Sequence, residues 1–304
     1  QLRWTGKTAG PVIYLPGPSR ATLRDLHIVG GKVAEGIVLD NCDQPGSRIF
    51  GEQISIEGGN KTGLFTEKLD HANIELHDFY HSGNENSIKV VGGPLLAAGK
   101  PAEGRVAIFG GGSANNDISY DLQDGGNLLV WDMWYETGQK PRFINLTGAG
   151  TLTLNGANEA VAVAAGVPPL EVNNFNGKVT LMGLEFTTTS KLSNKITIAG
   201  EGTNTRVLLL GNSCRDSGEI LNNTSPKAQV AFLNNRKMSG DNKGSVDIPN
   251  VGPSDNDFLR GMFAQLRTEL PRPLDDLQPG VTDARFFRIF VSETLTGMHL
   301  KAGR

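Results

Sequence analysis

The chain has 304 residues, 39 of them glycine, with 38% hydrophobic and 7% aromatic side chains and a formal net charge of −3. Glycine at nearly double the roughly 7% average speaks against long helices and for tight turns. The near-neutral charge gives no reason to expect nucleic acid or an anionic membrane as partner, and no run of about 20 apolar residues reads as a membrane-spanning helix.

Gln1–Gly10 is short and polar, and a strand pattern begins almost at once at Val12–Leu15, followed by the turn Pro16-Gly17-Pro18. Strand-like stretches then recur at Ala21–Gly31, Arg48–Gly59 and Ala72–Tyr80, starting 27 and then 24 residues apart. Shorter strands intervene at Gly36–Asn41, Gly63–Glu67 and Ser87–Gly92. Within each, apolar and polar residues alternate, the period of a strand with one buried face. A strand–turn–strand unit of this size cannot bury its apolar face alone and must stack on copies of itself. This is the signature of a coil of a parallel β-helix. Because a solenoid needs a cap over its first coil, the expectation is that N-terminal coils and a cap precede this sequence or that another chain covers that end.

Pro94–Glu103 interrupts the rhythm as a loop, and Arg105–Phe109 and Asp117–Leu122 resume it. The most aromatic stretch follows, Asn127–Gly138, and strands continue to Val230–Leu233. The marks Thr151, Lys178, Arg206 and Gln229 keep intervals of 27, 28 and 23 residues, so residues 1–238 read as one all-β domain. The remainder, 239–304, reads as a C-terminal loop, a short amphipathic helix over Phe258–Leu270 and a final strand at Arg285–Val291, all packed on the β-helix. Cys42 and Cys214 fall on distant coils and are expected to be buried thiols, not a disulfide.

No strong catalytic motif is present. Gly110-Gly111-Gly112 lacks the following Lys-Ser/Thr of a phosphate-cradling loop. His77 and His81, four apart on an expected strand, are read as sharing a face; facing imidazoles suit a metal, while exposed polar strand residues are the plainer reading. Simple alternation places Trp131, Met133 and Tyr135 on one face and Asp132, Trp134 and Glu136 on the other. Either face turned outward sets large aromatics beside a carboxylate. Aromatic platforms suit the C–H faces of sugar rings, and carboxylates grip hydroxyls or act in acid–base catalysis. Packing under the Pro94–Glu103 loop or against another subunit is the alternative. Asp40, Glu67, Asp70 and Glu85 gather on the early coils near Lys89. Such stacked acids suit Ca²⁺ or an acid–base pair, and a lysine there suits proton abstraction beside a uronate carboxylate.

The coils Leu23–Gly31 and Ile49–Gly58, the triplet Asn41-Cys42-Asp43, and Leu129–Glu136 followed by Arg142–Gly148 resemble the pectate-lyase-like superfamily of right-handed parallel β-helices, particularly its glycoside hydrolase family 28-related branch. The likeness spans roughly Val12–Asn235. Its Asn-Thr-Asp, Gly-His-Gly and Arg-Ile-Lys motifs are not present, and Ser87-Ile88-Lys89 is a faint echo of the last. The resemblance implies a secreted or cell-surface protein that binds or degrades polysaccharide as a glycoside hydrolase or polysaccharide lyase. The rival is a non-catalytic structural, adhesive or filament-forming β-helix, a homo-oligomer among the possibilities. If the protein is an enzyme, the expected acid–base groups are Glu136, Asp132, Asp40 and Asp70, with Lys89 as a lyase base. Trp131, Trp134, Tyr135, His77 and His81 are the expected sugar contacts. No metal site is expected apart from the Ca²⁺ option on the acids.

Overall fold

The computed structural model describes residues 1–238, apart from short stretches at 18–19, 43–45, 94–100, 141, 157–159, 164–167, 169, 187–193, 201–203, 215–218 and 234, together with the strand Ser245–Asp247. Every regular element among the described residues is a strand. The expected helix over Phe258–Leu270 and the strand over Arg285–Val291 lie outside the described residues.

Gln1–Met238 is a parallel β-solenoid, as the repeat interval requires. Long strands Arg20–Val29, Arg48–Glu57, Asn73–Ser82, Arg105–Ala114 and Gly126–Lys140 stack side by side in the larger sheet. Shorter strands, among them Glu35–Asp40, Thr62–Leu69, Asn86–Gly92, Ile118–Gln123 and Arg142–Thr147, form a second, 9-stranded sheet. Among the described residues all pairs are parallel except the last, where Arg236–Met238 meets Ser245–Asp247 antiparallel. Asn73–Ser82 and Gly126–Lys140 flank Arg105–Ala114, and register carries one row across the coils through Arg24, Glu52, His77, Phe109 and Trp131.

Each of these long strands turns a corner one residue after that row. The corner residues Asp25, Gln53, Asp78, Gly110 and Asp132 take φ of 53°, 52°, 51°, 70° and 58°. This left-handed region penalises most side chains and is tolerated best by Gly, Asn and Asp. The corner resets the strand's alternation. Inward residues run Ile74, Leu76, then Phe79, His81, and likewise Leu128, Val130, then Met133, Tyr135, a step of three across the bend in place of two. The core is one continuous cluster of such side chains, with Ile54, Phe79, Met133, Leu152 and Val179 at most 1% exposed. Burying each contributes roughly 1.5–3 kcal/mol.

Asparagine accounts for the turns. Asn60 Nδ2 donates to Asn84 Oδ1 at 2.7 Å, and Asn84 Nδ2 donates to Asn116 Oδ1 at 3.2 Å. The backbone N–H groups of Asn60 and Asn84 donate to the same acceptors, at 3.1 and 3.0 Å. A second ladder joins Asn212 to Asn235 at 2.9 Å. These buried side chains satisfy backbone groups that a turn into the core would otherwise strand. Cys42 is buried, its thiol directed at the Leu39 carbonyl 3.6 Å away.

Candidate functional site

The outward face on either side of the corner carries two aromatic rows. Before the corner, His77 lies 5.4 Å from Phe50 and stacks on Phe109 at 5.1 Å and 25°, and Trp131 is the register neighbour of Phe109. Arg24 sits over Phe50 at 5.8 Å and pairs with Glu52, finishing the row on the N-terminal side. After the corner, Tyr80 and Trp134 are register neighbours of Gly112 on opposite sides. A Cβ at Gly112 would stand 2.9 Å from ring atoms of both. The two rings therefore converge over a glycine floor.

Between the rows the corner column itself has a gap. Asp78 and Asp132 are exposed there, and a Cβ at Gly110 between them would meet no atom within 4 Å. Two strand spacings separate the two carboxylate-bearing residues, about 10 Å along the solenoid. Gly111 is required for a different reason: a Cβ there would lie 2.1 Å from the Phe79 carbonyl oxygen. The notch has one sign of charge. Over 75–82, 107–114 and 129–136 the sequence holds Glu75, Asp78, Asp132 and Glu136 and no lysine or arginine. His77 Nε2 bonds Glu75 Oε1 at 2.7 Å.

This geometry corrects three of the sequence expectations. Trp131 shares the outward face with Trp134 and does not share a face with Met133 and Tyr135, because Asp132 takes up the corner between them. His77 and His81 lie on opposite faces, since the corner at Asp78 intervenes. Tyr135 and His81 are both fully buried and take no part in an outer surface. Tyr135 receives a hydrogen bond from Tyr120 Oη at 3.1 Å, its ring edge-on to Phe143, and burial pushes its phenol well up. His81 Nδ1 accepts from Ser87 Oγ and, at 3.2 Å, from Asn116 Nδ2. Desolvation holds its imidazole down to about 3, so it is neutral.

The early-coil acids do not join the notch. Asp40 ends a strand of the second sheet, where Lys68 Nζ at 2.9 Å and Tyr14 Oη at 2.7 Å both donate to it. The Lys68 bond first, then that from Tyr14, holds its carboxyl below the usual range. A carboxylate so held is an ion-pair anchor and a poor proton donor. Asp70 is buried beside His71, 3.1 Å from its Nδ1. Lys89 lies over the Phe65 ring at 5.3 Å on the second sheet, next in register to Asp121. Asp132, Glu136, Trp131, Trp134 and His77 are the expected site residues that the structure brings to one face. Asp78, Tyr80, Phe109 and the triple glycine join them, and aligning the coils on their corner column is the sequence signal that finds them. No group of three or more His, Cys, Asp or Glu among the described residues is placed to hold a metal ion.

Comparison with known families, curated proteins and solved structures finds no match. The likeness to pectate-lyase-like proteins therefore stands at the level of the parallel solenoid, an architecture compatible with polysaccharide-related and structural roles alike.

Proposed function

We propose that the notched face binds a polysaccharide chain. The observation that carries this reading is the pair of half-buried aromatic rows, His77–Phe109–Trp131 and Tyr80–Trp134, flanking a glycine-floored gap bounded by Asp78 and Asp132. Ring faces cover the C–H faces of sugars, and carboxylates at the rim accept hydrogen bonds from hydroxyls. The setting this implies is extracellular or on the cell surface.

Binding is favoured over cleavage. A carboxyl pair about 5–10 Å apart suits glycoside hydrolysis, and the backbone spacing at the notch is compatible with it. One member must also hold its proton near neutral pH, which burial usually provides. Asp78, Asp132 and Glu136 are exposed. The lyase reading through Lys89 has less support, because that side chain lies on the other sheet.

The test is a glycan panel read against the variants Trp131→Ala and Trp134→Ala, with oligomer size followed by light scattering. The proposal expects the parent to bind at least one glycan and each variant to bind it about fivefold or more weaker at unchanged size. Unchanged binding in both variants refutes it. A fall in oligomer size without any glycan binding points instead to the assembly role.

A further inference from the structure

The charge at the notch restricts which sugar it takes. Resting on the polysaccharide-binding reading above, we propose that the ligand is a glycan carrying free amino groups, a de-N-acetylated hexosamine polymer, and not a polyuronate.

A polyuronate presents one carboxylate per residue, and proteins grip such groups with arginine or lysine. The three coils that make the notch have neither over 75–82, 107–114 and 129–136. Arg24, two coils toward the N-terminus, is already paired with Glu52 at 3.2 Å, and Arg48 and Arg105 stand at the starts of their strands, four or more residues before the corner row. A polyuronate laid here would bring its charges against Asp78, Asp132 and Glu136, and like charges held together are repulsive at any dielectric.

What the face has is the complement of an ammonium group. Trp131 and Trp134 set two half-buried indoles on this face, and Asp132 lies between them in sequence at the corner. Cations are attracted to aromatic faces, most strongly to tryptophan. The empty position at Gly110 leaves room for a substituent to enter the corner column between two carboxylates. A neutral sugar would use the rings alone, whereas an amino sugar uses the rings and the acids together. Each exposed contact between charges is weak, so the preference comes from several acting together and falls as salt rises.

The experiment measures binding of three soluble probes by calorimetry: oligomers of glucosamine, the same oligomers fully N-acetylated, and oligogalacturonate. Glucosamine oligomers are expected to bind about tenfold tighter than the acetylated ones, with the difference shrinking at high salt, and oligogalacturonate is expected not to bind. Asp78→Asn and Asp132→Asn are each expected to lose about two- to fivefold for glucosamine oligomers and nothing for acetylated ones. Asp25→Asn, in the same corner column but outside the notch, is the control for general attraction to an acidic protein and should bind like the parent. Equal binding of the two hexosamine probes, a preference for oligogalacturonate, or an equal loss in Asp25→Asn overturns the inference while leaving polysaccharide binding intact. Absence of binding to every glycan in the wider panel is a failure of the underlying reading.

Discussion

Tyr80 and Trp134 belong to strands two coils apart, yet both rings come within 2.9 Å of the position a Cβ at Gly112 would occupy. The intervening strand has surrendered its side chain there, and two aromatic rings occupy the space. Gly110, Gly111 and Gly112 thus serve three separate purposes: an open gap, a close backbone approach and a floor for rings.

These purposes separate by mutation. Gly111→Ala sets a methyl 2.1 Å from the Phe79 carbonyl oxygen at a backbone φ of 104°, and is expected to cost about 3 kcal/mol or more. Gly112→Ala meets only ring atoms, which swing aside, so it should cost less while weakening any glycan binding. Urea unfolding of the two variants checks this. Equal destabilisation would contradict the assignment.

The gap is tested by Gly110→Asn. Asparagine tolerates the left-handed conformation, and the neighbouring corner positions already hold Asp78 and Asp132. The variant should fold with a loss of no more than about 1 kcal/mol and lose glycan binding because its side chain fills the notch. Full binding in a folded Gly110→Asn would remove the gap from the account.

Acid should weaken the fold through His81. Its imidazole titrates at about 3 when folded, against 6.5 ordinarily, because burial disfavours the charged form. The unfolded chain then takes up a proton that the folded chain refuses, so stability is complete above pH 6.5 and falls as pH drops toward 3. The slope is about 1.4 kcal/mol per pH unit. Asp40, whose carboxyl is also held down, adds its own loss only at the acid end of that range. The difference between the parent and His81→Gln in denaturant titrations from pH 6.5 to 4.5 isolates the histidine. Parallel pH profiles would show that His81 is not the cause.

The asparagine ladder gives a positional prediction. Asn84 accepts from Asn60 Nδ2 and donates to Asn116 Oδ1 and the Ile56 carbonyl, whereas Asn60 Oδ1, at the ladder's end, has no partner. Asn84→Ala is expected to cost about 3 kcal/mol through buried groups left without partners, and Asn60→Ala less. Thermal or urea unfolding ranks the two, and the reverse order would contradict the ladder.

The parallel solenoid was legible because period-2 alternation and a near-constant coil length are properties of the chain itself. The site was legible only in part. Alternation counted straight through Trp131–Glu136 puts Trp131 on the face of Met133 and Tyr135, and the same count pairs His77 with His81. One left-handed residue, Asp132 or Asp78, shifts the phase by one position, and nothing local distinguishes such an aspartate from any surface acid. Only the column it forms with Asp25 and Gln53 on other coils reveals it. The buried fates of Tyr135 and His81 follow from the same shift. Asp40 and Lys89 read from the sequence as early-coil members of the same sugar-facing surface, but they lie on strands of the other sheet.

The central claim is that the Trp131–Trp134 face meets sugar, and tryptophan fluorescence reads it directly. The chain has three tryptophans, so Trp4→Phe leaves emission to these two alone. A saturable blue shift and reduced acrylamide quenching as a bound glycan is titrated in is the predicted result. An unchanged spectrum and unchanged quenching at glycan concentrations where calorimetry shows full binding would place the sugar elsewhere and contradict the account.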